Sequence, residues 1–176
     1  MKWILFLTLY ILSAQICVAP TITKEQVYDQ ELQWQENHRV TQLKAKIDTA
    51  DFTPELLYQA LVLYVQDPDI VFNQSKLETG WFKSSIFLQL NNAFGMHYPL
   101  SRETTAIGWR WGDYYGGSHH KISKYNHWSD GVKDVALWQQ YWKDKGKQMD
   151  DYYQFLNDLP YATAKRYIYT LKLMEI

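Results

Sequence analysis

The stretch Leu77-Glu78-Thr79-Gly80-Trp81-Phe82-Lys83-Ser84, followed shortly by Asn91-Asn92-Ala93-Phe94-Gly95-Met96, carries most of what this chain discloses about itself. Gly80 is a natural helix stop, because the left-handed residue after a last turn costs glycine least. Upstream of it, Ile70, Val71, Phe72 and Leu77 recur at helical intervals. Asp67-Pro68 supplies the start: a capping side chain, then a proline whose missing N–H the first turn does not need. Thr53-Pro54 repeats that signal before Leu56, Leu57, Leu61, Val62 and Val65, so a preceding helix is expected to end near Gln66. On the helix wheel Glu78 lies about 20° from Val71 and about 40° from Gln74, on the inward stripe. It also lies in the last turn, where the helix dipole disfavours an anion. Burial and dipole both raise a carboxyl pKa. A carboxyl that is to donate a proton near neutral pH needs such a rise from an ordinary value of about 4.3. The same pattern fits a glutamate paired with Lys76 or Lys83 at a frayed helix end, and helix geometry alone does not choose.

Working outward, the pattern changes between His97 and Tyr125. Gly108, Gly112, Gly116 and Gly117 break up Trp109, Trp111, Tyr114 and Tyr115, which predicts short strands in a hairpin flap. Helical spacing returns from Ser129 (Val132, Val135, Ala136, Trp138, Tyr141), near Tyr152, and after Thr163. From Lys24 to Ile47, apolar residues spaced through a polar segment fit either an amphipathic helix or a solvated arm. The expected fold class is α+β, mainly α. With 47% hydrophobic and 21% charged residues, 176 residues suffice for one domain with a real core. A formal net charge of −1 gives no basic field for nucleic acid.

The N-terminus predicts export. Lys2, the apolar run Trp3 to Leu12, and the small residues Ser13 and Ala14 read as a signal peptide. A run of ten residues, Thr8 among them, is too short for a bilayer span, which needs about 20. Residues 1–19 are therefore assigned to the leader, 20–50 to an N-terminal helical arm and 51–176 to the domain proper. Cys17 is the sole cysteine, which excludes a disulfide framework. It reads as an unused leader residue rather than a lipid anchor, Ile16 being a poor residue to precede one.

The two opening motifs resemble, in residues and spacing, the glucosaminidase family of peptidoglycan hydrolases, glycoside hydrolase family 73. That family carries Leu-Glu-Ser-Gly-Trp-Gly-Lys-Ser and then Asn-Asn-Leu-Phe-Gly-Ile. Tyr125-Asn126-His127-Trp128-Ser129-Asp130-Gly131-Val132-Lys133-Asp134 is similar to its tyrosine-led entry into the next helix, and Tyr161-Ala162-Thr163 with Tyr167 to its C-terminal segment. The resemblance runs from about Pro54 to the end. It implies a lysozyme-like helical body with a small β-hairpin lobe over a cleft, Glu78 as the catalytic acid, and peptidoglycan glycan strands as partner. Phe82 departs from the family's glycine, Gly131 from its serine, and Ala164-Lys165 from its Asp-Pro; Ser123 stands where arginine is frequent.

Glycosidases commonly use two carboxyls, about 5–5.5 Å apart when retaining and roughly 6.5–9.5 Å when inverting. The resemblance places the second at Asp113, beside Tyr114, with Glu103 as alternative; substrate-assisted attack by an N-acetyl group needs no second carboxylate. Substrate contacts are expected from Trp81, Asn92, Phe94, Tyr114, Tyr125 and Tyr161. For Asn91-Asn92 the residues themselves equally suggest side chains that bond loop backbone before a tight passage at Gly95. Trp109 and Trp111 are candidates either for stacking on sugars or for packing. No metal or other cofactor is expected, since His97, His119, His120 and His127 have no ligand spacing. Without a nucleophile elbow, covalent serine catalysis is disfavoured. A muramidase or lytic transglycosylase on the same fold, and a wall-binding module without turnover, are the alternatives.

Overall fold

The computed structural model describes residues 23–112 and 120–159. Eight elements follow in order: α1 (Lys24–Thr49), α2 (Pro54–Tyr64), α3 (Pro68–Thr79), α4 (Ser85–Leu90), β1 (Gly108–Trp111), β2 (Lys121–Lys124), α5 (Trp128–Asp144) and α6 (Tyr152–Asp158). The chain is thus mainly helical with one two-stranded antiparallel sheet. Two compact units divide between Val40 and Thr41. In the first, the beginning of α1 is capped by Thr23, whose hydroxyl accepts from the Gln26 N–H at 3.2 Å while the Gln26 side chain accepts from Thr23 N–H at 2.9 Å. The segment is helical, and with Val27, Leu32 and Trp34 exposed along it, it is a solvated one.

The second unit builds its core from α2, α3, α5 and α6, through Leu57, Leu61, Val71, Val132, Phe155 and Leu156, with Ile47 from the end of α1. Thr53 caps α2 as expected, accepting from Leu56 N–H at 3.1 Å. Asp67 does not cap α3. It sits in the left-handed region at φ 54° with no side-chain bond to the helix, and burial, then the charge of Asp151, holds its carboxyl above the usual range. Helix α2 ends at Tyr64, with the extended Val65 as its cap, and the chain bends through Gln66 and Asp67 into Pro68.

Helix α5 is fastened at its start. His127 Nδ1 accepts from Ser129 N–H at 3.3 Å, and the Asp130 carboxylate accepts from His127 N–H at 3.2 Å. With Nδ1 accepting, Nε2 carries the proton toward the Ala50 carbonyl at 2.9 Å, which also receives the Trp128 indole N–H at 2.9 Å. In the hairpin, Trp109 faces Ser123 and Trp111 faces Lys121. A bridge from His97 to Ile122 and the bonds Ser123 N–H to Met96 O (2.9 Å) and Tyr98 N–H to Lys121 O (2.7 Å) attach segment 96–98 to the other edge of β2.

Candidate active site

Glu78 occupies the last turn of α3. Gly80, at φ 54°, closes that turn, and the Trp81 N–H reaches back to the Lys76 carbonyl at 2.8 Å, a Schellman ending. Trp81 (φ 60°) and Phe82 (φ 63°) continue in the left-handed region, which costs residues bearing a Cβ about 1–2 kcal/mol each. Two groups of contacts hold this turn. Thr79 Oγ1 accepts from Phe82 N–H at 2.8 Å and donates to Ser75 O at 2.6 Å. The Phe82 ring packs with Phe52, Phe72 and Phe87, centroids 5.0, 6.3 and 5.9 Å away. The position that departs from the family's glycine is therefore one where glycine would be unstrained, and ring packing offsets the strain.

The second motif forms the opposing loop. Asn91, in the left-handed region, ends α4 and donates to the Tyr125 and Asn126 carbonyls at 3.2 and 3.0 Å. Asn92 is fully buried. Its Nδ2 donates to Met96 O (2.9 Å) and Ser123 O (3.0 Å), and its Oδ1 accepts from the Phe94 and Met96 N–H groups at 3.3 and 2.9 Å. One side chain thereby closes the loop on itself and ties it to the hairpin. The closure delivers Gly95, at φ 62°, against Glu78. A Cβ on Gly95 would stand 2.9 Å from Glu78 Oε2.

An open cleft of about 770 Å³ runs over this contact. Glu78, Gly95 and Met96 line it, together with His97 to Arg102 and His120 from the hairpin side and Trp138, Tyr141 and Trp142 from α5. Among the described residues, Glu78 is the sole carboxylate on its wall. The Arg102 guanidinium is bound by both oxygens of the fully buried Asp134 at 2.8 and 3.0 Å. The Tyr125 hydroxyl donates to the same carboxylate at 2.7 Å. Burial, then the charge of Asp134, pushes the Tyr125 phenol far above the usual tyrosine range. His97 and His120 stack with centroids 4.7 Å apart and planes 17° from parallel. Loss of water around His97, then the charge of His120, lowers its pKa.

The structure separates the expected substrate contacts. Phe94 and Tyr125, 4% and 1% exposed, lie in the core with Asn92. Asn92 bonds the loop and the hairpin, and Tyr125 donates to Asp134. Trp81 is 63% exposed, with the Lys76 ammonium 5.5 Å from its ring. Asp113, Tyr114 and Tyr161 lie outside the described residues, as does the helical pattern after Thr163. The alternative carboxylate, Glu103, is exposed and is not on the cleft wall. Nothing in the sequence signals that His97, Arg102 and His120 meet in the cleft, and Trp138 and Tyr141 entered only as markers of helical spacing. No group of three or more His, Cys, Asp or Glu able to hold a metal occurs among the described residues.

Comparison with known proteins bears on this arrangement. A model of the glucosaminidase family, described as mannosyl-glycoprotein endo-beta-N-acetylglucosaminidase, matches residues 55–176. No curated protein matches the chain. Among solved structures, the catalytic domain of the autolysin Auto from Listeria monocytogenes is similar at 18% identity, over 88% of this chain and 93% of that one, with a TM-score of 0.43. The family match covers well over half the sequence: the chain belongs to the glucosaminidase family and is a glycoside hydrolase.

Proposed function

We propose that this member of the glucosaminidase family is a peptidoglycan hydrolase, an endo-β-N-acetylglucosaminidase cutting β-1,4 bonds of the glycan strand with Glu78 as general acid. The observation that carries the reading is the seating of Glu78: on the wall of an open cleft, with Gly95 leaving room for its carboxyl and nothing larger. The Glu78 carboxyl gives its proton to the glycosidic oxygen as the bond to the anomeric carbon breaks. Water adds to that carbon. Its proton passes to Asp113, or the substrate's own N-acetyl oxygen first covers the cationic centre. Trp81, Tyr114 and Tyr161 are proposed as sugar contacts.

The division into a leader (1–19), an arm (20–50) and a catalytic domain (51–176) is part of the same proposal. Export to the cell envelope or beyond rests on the leader pattern and on the wall as substrate. No helix among the described residues is long and apolar enough to cross a membrane. Mass spectrometry of fragments released from purified walls tests the bond assignment. Reducing N-acetylglucosamine ends are expected. Muramic ends or anhydro-muramic ends would replace the proposal with a muramidase or a transglycosylase.

A further inference from the structure

The hairpin's two faces differ. His120 and Ile122 share one, and His120 lines the cleft. Trp109 and Trp111 share the other with Lys121, and neither tryptophan lines the cleft. On this outer face Ile107, Trp109 and Trp111 follow at every second residue and are 54%, 40% and 53% exposed. They form a strip about 13 Å long at the usual strand rise, room for a disaccharide. The indoles meet edge to face with centroids 4.8 Å apart, and the Lys121 ammonium lies 4.5 Å from one ring and 5.7 Å from the other. The strands contain no carboxylate, and Lys121 is the cation of this face, since Arg110, opposite Ile122, and Lys124, opposite Gly108, belong to the other.

Half-exposed tryptophans in line, in contact with an ammonium, are an uncommon use of surface for a chain that has a core to fill. Each feature has a counterpart in the proposed substrate: flat apolar sugar faces for the indoles, and peptide carboxylates on the same polymer for the Lys121 ammonium. We propose that the outer face of the hairpin, Ile107, Trp109, Trp111 and Lys121, is a second glycan-binding site that holds a wall strand outside the cleft. The inference rests on the peptidoglycan reading above. It goes beyond that reading in separating retention on the wall from turnover.

The test measures pelleting with purified walls in a Glu78→Gln background, so that the walls are not consumed, and turnover of a soluble wall tetrasaccharide with Glu78 intact. Trp109→Ala with Trp111→Ala is expected to weaken pelleting about tenfold, as loss of aromatic anchors does. Soluble turnover stays unchanged. Lys121→Glu, which leaves both indoles in place, weakens pelleting as well and reduces its salt dependence. Thermal unfolding checks that both variants fold. Unchanged pelleting in both variants overturns the proposal, as does a parallel loss of soluble turnover, which would place the strip in the catalytic site. Failure of the enzyme to cut any wall glycan would instead sink the functional reading, and the pelleting comparison would still decide this one.

Discussion

Replacing Gly95 with alanine should disable the enzyme while leaving it folded, and Gly80 supplies the control. Both glycines are left-handed, at φ 62° and 54°, so either substitution costs about 1–2 kcal/mol of stability from backbone alone. The surroundings differ. A Cβ at Gly80 meets nothing within 4 Å, whereas one at Gly95 stands 2.9 Å from Glu78 Oε2 and 3.5 Å from its Cδ. The carboxyl is the movable partner, and it must give way by several tenths of an ångström or more. Misplacing a catalytic group by about 1 Å costs on the order of 100-fold, so Gly95→Ala should lose roughly 10- to 100-fold in kcat and Gly80→Ala very little. Release of reducing ends from purified walls, with thermal unfolding in parallel, reads both quantities. Equal activity losses in the two variants would refute the reasoning, because backbone strain would then explain everything. So would a fully active Gly95→Ala.

Phe82→Gly relieves a strained φ but removes a ring from the Phe52, Phe72 and Phe87 cluster; a net loss of about 1–2 kcal/mol is expected in denaturant unfolding, packing outweighing strain. Asp134→Asn takes the counter-charge from a buried Arg102, and thermal unfolding should show a loss of about 3–5 kcal/mol. Tyr125 and Tyr152 are buried with pKa values raised above those of the unfolded chain. Their stabilisation is therefore complete below about pH 10 and is lost as pH rises further, because only the unfolded chain releases the protons there; Tyr125→Phe should soften this alkaline limit. His97 acts in the opposite sense. Its pKa lies below the unfolded value, so stability falls as pH drops through about 6.5 and the unfolded chain takes up the proton first, and His97→Gln should flatten that limb.

What was legible in the sequence was local. Thr53-Pro54 and Gly80 announce their helix ends because cap chemistry acts within one turn, and the glycine-broken tryptophans announce a hairpin. Asp67 misleads because its backbone is left-handed, not the extended conformation from which a capping side chain reaches the first turn. Helix α4, six residues long and marked chiefly by the Ser84 cap at 3.2 Å, is too short to show a period. The stacked pair His97 and His120 is joined only through the antiparallel pairing of segment 96–98 with β2. The motifs mark Glu78, which lines the cleft, yet they do not distinguish a residue with surface to offer from one that shapes the loop. Asn92 and Tyr125 have no exposed surface to spare, and only their hydrogen bonds reveal what they hold in place.

The central claim is that Glu78 supplies the proton, and clearing of purified walls by Glu78→Gln tests it most directly. The amide keeps the side chain's shape beside Gly95 and removes its acidity. Clearing should fall by at least about 100-fold, the lower range of what a positioned general acid contributes, with thermal stability close to that of the unsubstituted chain. Clearing at an unreduced rate by a folded Glu78→Gln variant would contradict the account.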